Sequence, residues 1–436
     1  MQFSIQIIKE KNFIPRAEKA AGNLLTIASY FLDKKAKKLS KRFYVTCVKE
    51  SQDLEDFLDD HGARSNKTWV YFRELVASIR NFSSTAYMVS HILSRVNFYD
   101  LSPSSTKSFI SDASSMLEFL HSTITTLCSH LIAEAESLGL TGTPVVLDEN
   151  LFEESIITQV LPHNINDEGS CDIQEKVSRV ATELINAYDK SQGIMFEKKL
   201  SARNLDTSII PDRINEETLR DLEANVHNAQ SIYDTYIQKT PFEADHQKLV
   251  SLRGHISVAL HLLGIAKELS HFFERHEMGV RKEITRMKIA KIIQRKKLLE
   301  VIVNFSLHYY TLFIHDGKKL ANEIQDNFTV VDSVIVKAPM GLGFHLRPST
   351  LVAKVAHHYG SKLSMMVNGK EFDAASVIDI MWAGGMIKKE VITTIEFRGD
   401  KKAIRDISLL ADANYGEDTM GNSTPLPGPL SYLRQE

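Results

Sequence analysis

Residues 341–350 read GLGFHLRPST. His345 stands among glycines, with Arg347 and Pro348 just beyond it. An imidazole that titrates near about pH 6.5 is largely neutral at neutral pH, so one ring nitrogen carries a lone pair. Such a nitrogen can take up a phosphoryl group covalently. The dianion so formed needs stabilising, and a helix N-terminus supplies unpaired N–H groups and the positive end of the dipole. Pro348 suits a first helical turn, because the N–H it lacks would have had no partner there. Arg347 adds a permanent cation able to bind phosphate oxygens. Gly341 and Gly343 let the backbone turn tightly before the histidine. These residues would suit a phosphoryl acceptor at His345, a stabilising Arg347, and a phosphate-binding helix start at Leu346, Pro348 and Ser349. Taken alone, a His-x-Arg-Pro reads first as a plain histidine in a turn.

The surrounding pattern must position that histidine. From Ser333 onward the period is mixed. SVIVKA is short and β-branched, SKLSMMVNG ends on an Asn-Gly turn signal, and VITTIEFRG alternates before Gly399. Between them lie the helical patterns PSTLVAKVAHHYG, ASVIDIMWAGG and KKAIRDISLLADAN. The first should run to about Tyr359 and stop at Gly360. His357 and His358, in its last turn, complement the dipole. The order is strand, helix, strand, strand, helix, strand, helix: an α+β arrangement with helices on one face of a small sheet. The stretch EDTMGNSTPLPGPLSYLRQE is polar and rich in Pro and Gly, and reads as a flexible tail over 417–436.

GFHLRP followed by NGKEFDAASVIDIMWAGG resembles the HPr family of phosphocarrier proteins of the sugar phosphotransferase system. The resemblance covers about residues 331–415. It implies the open-faced βαββαβα sandwich. It also implies that His345 takes a phosphoryl group from phosphoenolpyruvate by way of enzyme I, assisted by Arg347, and passes it to phosphotransferase permeases or regulatory proteins. The chain would then be a histidine phosphocarrier rather than a free-standing enzyme. Leu346 departs from the family, which has a small or hydroxyl residue there; a leucine cannot cap through a side-chain oxygen. Ser376 aligns with a serine that is a regulatory phosphorylation site in some members, although Ser376 with Asp379 also forms a Ser-x-x-Asp capping box. Phe344, Val377, Ile378 and Met381 match the apolar docking surface around the second helix, or belong to the core.

Up to about residue 328 the apolar spacing is helical. Leu24, Leu25, Ala28, Phe31 and Leu32 form one stripe; Leu260, Leu263, Ile265, Leu269 and Phe272 form another. This predicts amphipathic helices packed as bundles. Two loop-rich stretches interrupt it, 138–171 and 201–216. LVASIRNF at 75–82 is echoed by LVSLRGHI at 249–256, a faint internal repeat. Two segments resemble the PhoU family of helical phosphate-signalling regulators: FIPRAEKAAGNLLTIASYFLDKK with SQDLEDFL and TWVYFRELVASIRN, and RDLEANVHNAQSIYDTYI with TPFEADHQKLVSLRGHISVALHLLGIAKELS. That resemblance implies metal on Glu-x-x-x-Asp pairs. Glu55 with Asp59 and Glu217 with Asp221 have the spacing, but so do many solvated helices, and Gln230 stands where an acid is expected in the second segment. No metal site is therefore assigned.

No G-x-x-x-x-G-K-[ST] or H-E-x-x-H occurs, and no cofactor is expected. His271 and His276 are five apart and do not share a helix face. The run RKEITRMKIAKIIQRKK, 281–297, reads as a helix with a solvated cationic face. Among the 436 residues the net charge is −3, which gives no basic field for nucleic acid. Cys47, Cys128 and Cys171 form no disulfide framework, which fits a reducing compartment. The opening MQFSIQIIKEKNF lacks a signal-peptide pattern, and the most apolar run, ISVALHLLGIA, is shorter than a bilayer span. A cytoplasmic multidomain protein is expected. Its parts are a helical bundle over 1–140, a linker over 141–175, a second helical segment over 176–328, the phosphocarrier-like domain over 329–416 and the tail. A carrier needs only its small domain, so the helical residues imply a second, regulatory function. The alternatives are a never-phosphorylated helical adaptor with a docking module, or a PhoU-like regulator.

Overall fold

Helix α2 (Lys41–Asp60) begins where Ser40 turns its side chain to accept from the Phe43 N–H. With α1 (Glu10–Asp33), α3 (Val70–Arg95) and α4 (Pro103–Ser137) it builds a bundle: each packs on the next, and α1 closes on α4. The predicted stripe supplies that closure, with Leu24, Ala28 and Phe31 buried. Phe31 stacks on Phe43, and Phe13 meets Trp69 edge-on at 4.6 Å. The computed structural model describes residues 7–33, 39–140, 161, 173–205, 209–277, 283–328, 331–359 and 362–434. Nearly all of the expected linker, together with Cys171 and Gly360, lies outside these.

The chain forms two units that do not follow the sequential division. Unit 1 takes Met1–Pro162, Asp189–His227 and Arg253–Asp316; unit 2 takes His163–Tyr188, Asn228–Leu252 and Gly317–Glu436. Further helices are α5 (Ile173–Lys190), α6 (Glu216–Tyr236), α7 (Pro241–Asp245), α8 (Gln247–Glu277), α9 (Glu283–Ile292), α10 (Arg295–Glu300) and α11 (His308–Phe328). Within α8, Gln247–Arg275 is long and apolar enough to cross a membrane, but 78% of its apolar 18-residue window is buried inside the protein. Leu263, Ile265, Leu269 and Phe272 from it are core residues.

In unit 1 the acidic pair Glu55 and Asp59 is taken up by a buried cation. Arg73 bonds Glu55, Glu74 and both oxygens of Asp59, and Arg80 lies 2.9 Å from Glu55. Burial alone would raise the Asp59 carboxyl, but Arg73 and Arg64 hold it below its usual range. Glu217 and Asp221 are exposed. His271 Nδ1 meets Glu216 at 2.6 Å. The basic run is used for packing more than its pattern indicates: Lys288 lies over Tyr71, Arg295 over Phe273 and Lys297 over Phe119. Cys47 and Cys128 are buried free thiols; burial pushes Cys128 up to about 12 and Cys47 well above its ordinary value.

Unit 2 contains the sheet: β1 (Val331–Lys337), β2 (Leu363–Val367), β3 (Lys370–Asp373) and β4 (Thr394–Asp400), antiparallel in the order β1-β4-β2-β3. Asn368 and Gly369 close the β2–β3 hairpin, both at positive φ (47° and 75°), as the Asn-Gly signal predicted. Helices α12 (Leu346–Tyr359), α13 (Val377–Glu390) and α14 (Lys401–Asp412) alternate with the strands and share their core, which includes Val352, Met365, Ile380, Phe397 and Ile407. The observed order is βαββαβα. Helix α5 belongs to the same unit, with Glu175 bonded to Lys402 at 3.2 Å.

The expected tail is instead built into this unit. Leu430 and Leu433 are buried in its core. Tyr432 donates to Asp406 at 3.0 Å beside Tyr359 at 2.7 Å, and stacks on His358 at 3.8 Å. Two buried leucines and a hydrogen-bonded tyrosine near the end of a polar, proline-rich stretch hold it, and composition alone conceals them.

Candidate functional site

The turn that presents His345 exists because two glycines yield space. Gly341, at φ 81°, lies so close to the Thr419 carbonyl that a Cβ would sit 2.7 Å from it. A Cβ on Gly384 of α13 would meet Phe344 at 2.7 Å. Phe344 is thereby drawn inside: it is 5% exposed and packs edge-on against Tyr415 at 5.0 Å. The docking role expected for Phe344 is corrected accordingly; it anchors the loop from below.

His345 itself precedes the helix. Its carbonyl accepts from the Ser349 N–H at 3.1 Å, the first bond of α12, and its own N–H donates to Gly343 at 2.9 Å. The N–H groups of the first turn have no partner inside the helix, and Pro348, third in α12, sits where the missing donor costs nothing. Pro348 and Ser349 face the core with Val352, Ala353 and Ala356. Ser349 is fully buried and its hydroxyl has no hydrogen-bond partner. Its expected place in the phosphate-binding surface is therefore corrected: helical period turns position 349 inward. Leu346 points the other way, 65% exposed.

A cavity of ≈540 Å³ opens beside the imidazole, lined by His345, Leu346, Arg347, Thr350, Leu351, Lys354 and Gly421. Thr350 donates to the Leu346 carbonyl at 2.7 Å, and Lys354 to the Leu433 carbonyl at 3.3 Å. The site thus combines an imidazole, two cations and the positive end of a helix.

One residue here escaped the sequence reading. Glu417, in the stretch read as a tail, is 2% exposed at its side chain. Its Oε2 lies 2.8 Å from His345 Nε2, and its Oε1 3.4 Å from Arg347. Its backbone is fixed by Asn414, which accepts from the Glu417 N–H and donates to its carbonyl, and by a bridge to Ser423. No short-range motif signals this contact, because the pair is separated by 72 positions.

Around α13 the expected residues divide. Ser376 is the N-cap, its hydroxyl accepting from the Asp379 N–H at 3.2 Å. Its own N–H goes back to Asp373, so the reciprocal half of the capping box is not formed. Val377 packs against the core. Ile378 and Met381 are exposed, joined by Trp382 at 76%, which the sequence reading did not single out.

A four-stranded antiparallel sheet with helices, bearing a histidine at a helix mouth beside an arginine, defines a small α+β module. Its sequence places it further. Over 80 residues the chain is 36% identical to the phosphocarrier protein HPr of Buchnera aphidicola subsp. Acyrthosiphon pisum, spanning 91% of that protein and 18% of this chain. Through this region the chain belongs to the HPr family. No family model matches the chain, and no solved structure matches it. The PhoU likeness of the helical part finds no support in these comparisons.

Proposed function

We infer that this chain is a phosphocarrier whose His345 accepts a phosphoryl group within a phosphoenolpyruvate-dependent phosphotransferase system, with enzyme I as donor. The observation that carries the reading is the pairing of His345 and Arg347 at the start of α12, in a chain that is 36% identical to an HPr over 80 residues. An imidazole nitrogen attacks, and Arg347 with the first-turn N–H groups receives the phosphate oxygens. The exposed Leu346, Ile378, Met381 and Trp382 supply an apolar face for protein partners, here phosphotransferase permeases or regulatory proteins. The helical part makes the carrier a regulatory one: a new dianion at His345 changes what the module can contact. A cytoplasmic setting goes with this reading. Ser376 needs no regulatory role to account for it, since it caps α13.

The second reading is a docking module that is never phosphorylated. Leu346, exposed beside the imidazole, favours it.

The test is a labelling assay on the full chain with enzyme I and labelled phosphoenolpyruvate, alongside His345→Ala. Acid-labile label lost in the variant is the expected result. A folded wild-type chain that takes up no label overturns the phosphocarrier reading and leaves the docking module.

A further inference from the structure

Unit 1 holds a second cavity, whose polar groups have no part in the chemistry of His345. It measures ≈530 Å³ and opens between α3, α6 and α8. Gly264 of α8 lets its walls meet. A Cβ there would lie 2.7 Å from Met88 Sδ and 3.1 Å from a Glu223 oxygen, so side chains of α3 and α6 reach across α8 unobstructed. Arg220, Ala224 and His227 of α6 form an exposed rim.

Charge decides what such a cavity can take. Two cations, Arg220 and Lys267, and two carboxylates, Glu223 and Glu268, line it. Lys267 reaches from α8 to Glu223 at 2.7 Å, with Glu268 3.7 Å away. Arg220 is bonded to Glu216, one turn earlier in α6. Each cation therefore already has a carboxylate partner. An anionic ligand would draw Lys267 from its carboxylates, and a cationic one would compete with it for them. Either leaves a part-buried charge unmatched, at its full desolvation cost. His261 adds no charge. Its Nδ1–H donates to the Ser257 carbonyl at 2.7 Å, and His91 stacks on its ring at 4.5 Å. Burial, despite the bond to Ser257, holds the imidazole below its ordinary range. Nε2 is then an acceptor. Tyr87 and His227 can each give or take a hydrogen bond, and among the described residues neither makes one.

The walls thus carry donors and acceptors side by side, with their charges matched beforehand. Hydroxyl groups suit both at once, since each donates to a carboxylate and accepts from an ammonium. We propose that this cavity binds a neutral polyhydroxylated molecule, a sugar or polyol of mono- to disaccharide size. Its hydroxyls bridge Lys267, Glu223 and Glu268, and its C–H edges lie against Met88 and Leu260. The volume falls among those of small-molecule sites. The site lies wholly in unit 1 and does not depend on phosphoryl transfer at His345.

The test uses the full-length protein and molecules that differ chiefly in charge: neutral D-glucose and maltose, anionic D-gluconate and cationic D-glucosamine. Binding is followed at neutral pH through the imidazole ring signals of His227 and His261, each picked out by its loss in the corresponding glutamine variant. Glucose or maltose should shift these signals with a dissociation constant on the order of 1 mM. Gluconate and glucosamine should bind at least about tenfold more weakly, the consequence of an unmatched charge. Ala224→Trp, at an exposed rim position, should fill the opening and abolish the shifts. Ala224→Leu is a smaller block for the case in which the tryptophan variant does not fold. Three results overturn the proposal: no shift with either neutral sugar, a charged analogue binding as tightly as glucose, or binding undiminished in a folded blocked variant.

Discussion

At the scale of single residues, the molecule separates histidines by environment. His345 is half-buried against a carboxylate, whereas His91 stacks on His261 at 4.5 Å in unit 1. Burial, and then the neighbouring His261 and nearby cations, depress His91 to about 3. A base whose folded value is depressed contributes stability that is complete above its unfolded value, near about pH 6.5, and is lost as pH falls toward the folded one. The unfolding midpoint should therefore drop between about pH 6.5 and 3. His91→Phe, which keeps a stacking ring without a titrating group, should flatten that slope; denaturant titrations at a series of pH values check it. The sequence singled out His345 among the histidines, because glycines, arginine and proline surround it. It did not show Glu417, because a contact across 72 positions leaves no local trace.

At the scale of elements, local rules account for most of the phosphocarrier-like module. The Asn-Gly hairpin, the alternation of β4 and the Ser376 cap were all legible, since each rests on neighbours in the chain. The burial of Phe344 was not, because it depends on Gly384 making room from another helix. One element end departs from the usual chemistry. Val391 terminates α13 at φ 56°, ψ 44°, a left-handed conformation that strains a β-branched residue, and it is solvent-exposed. Val391→Gly should therefore stabilise the chain by about 1 kcal/mol, the cost of a left-handed L-residue less the entropy of glycine. A thermal melt showing no gain would mean that the strain is relieved by its surroundings.

At the scale of the whole molecule, the candidate site and the core meet in the segment after α14. Proline, glycine and polar residues dominate it and give it the composition of a tail, whereas burial of Leu430 and Leu433 is a tertiary fact that no composition reveals. The interleaved membership of unit 2 was hidden for the same reason: helical period marks α5 as amphipathic without saying what it covers. Leu433→Ala should cost about 2–5 kcal/mol, as for other buried leucines. Denaturant unfolding that shows less than about 1 kcal/mol would indicate that the segment docks only loosely. The separation of His345 from Glu417 also has a temporal side. On the ribosome, the histidine emerges 72 residues ahead of the carboxylate that holds it. A nascent chain therefore passes through a period in which the imidazole is already made and its carboxylate partner is not, and their contact is completed only when the segment beyond α14 has been synthesised and packed.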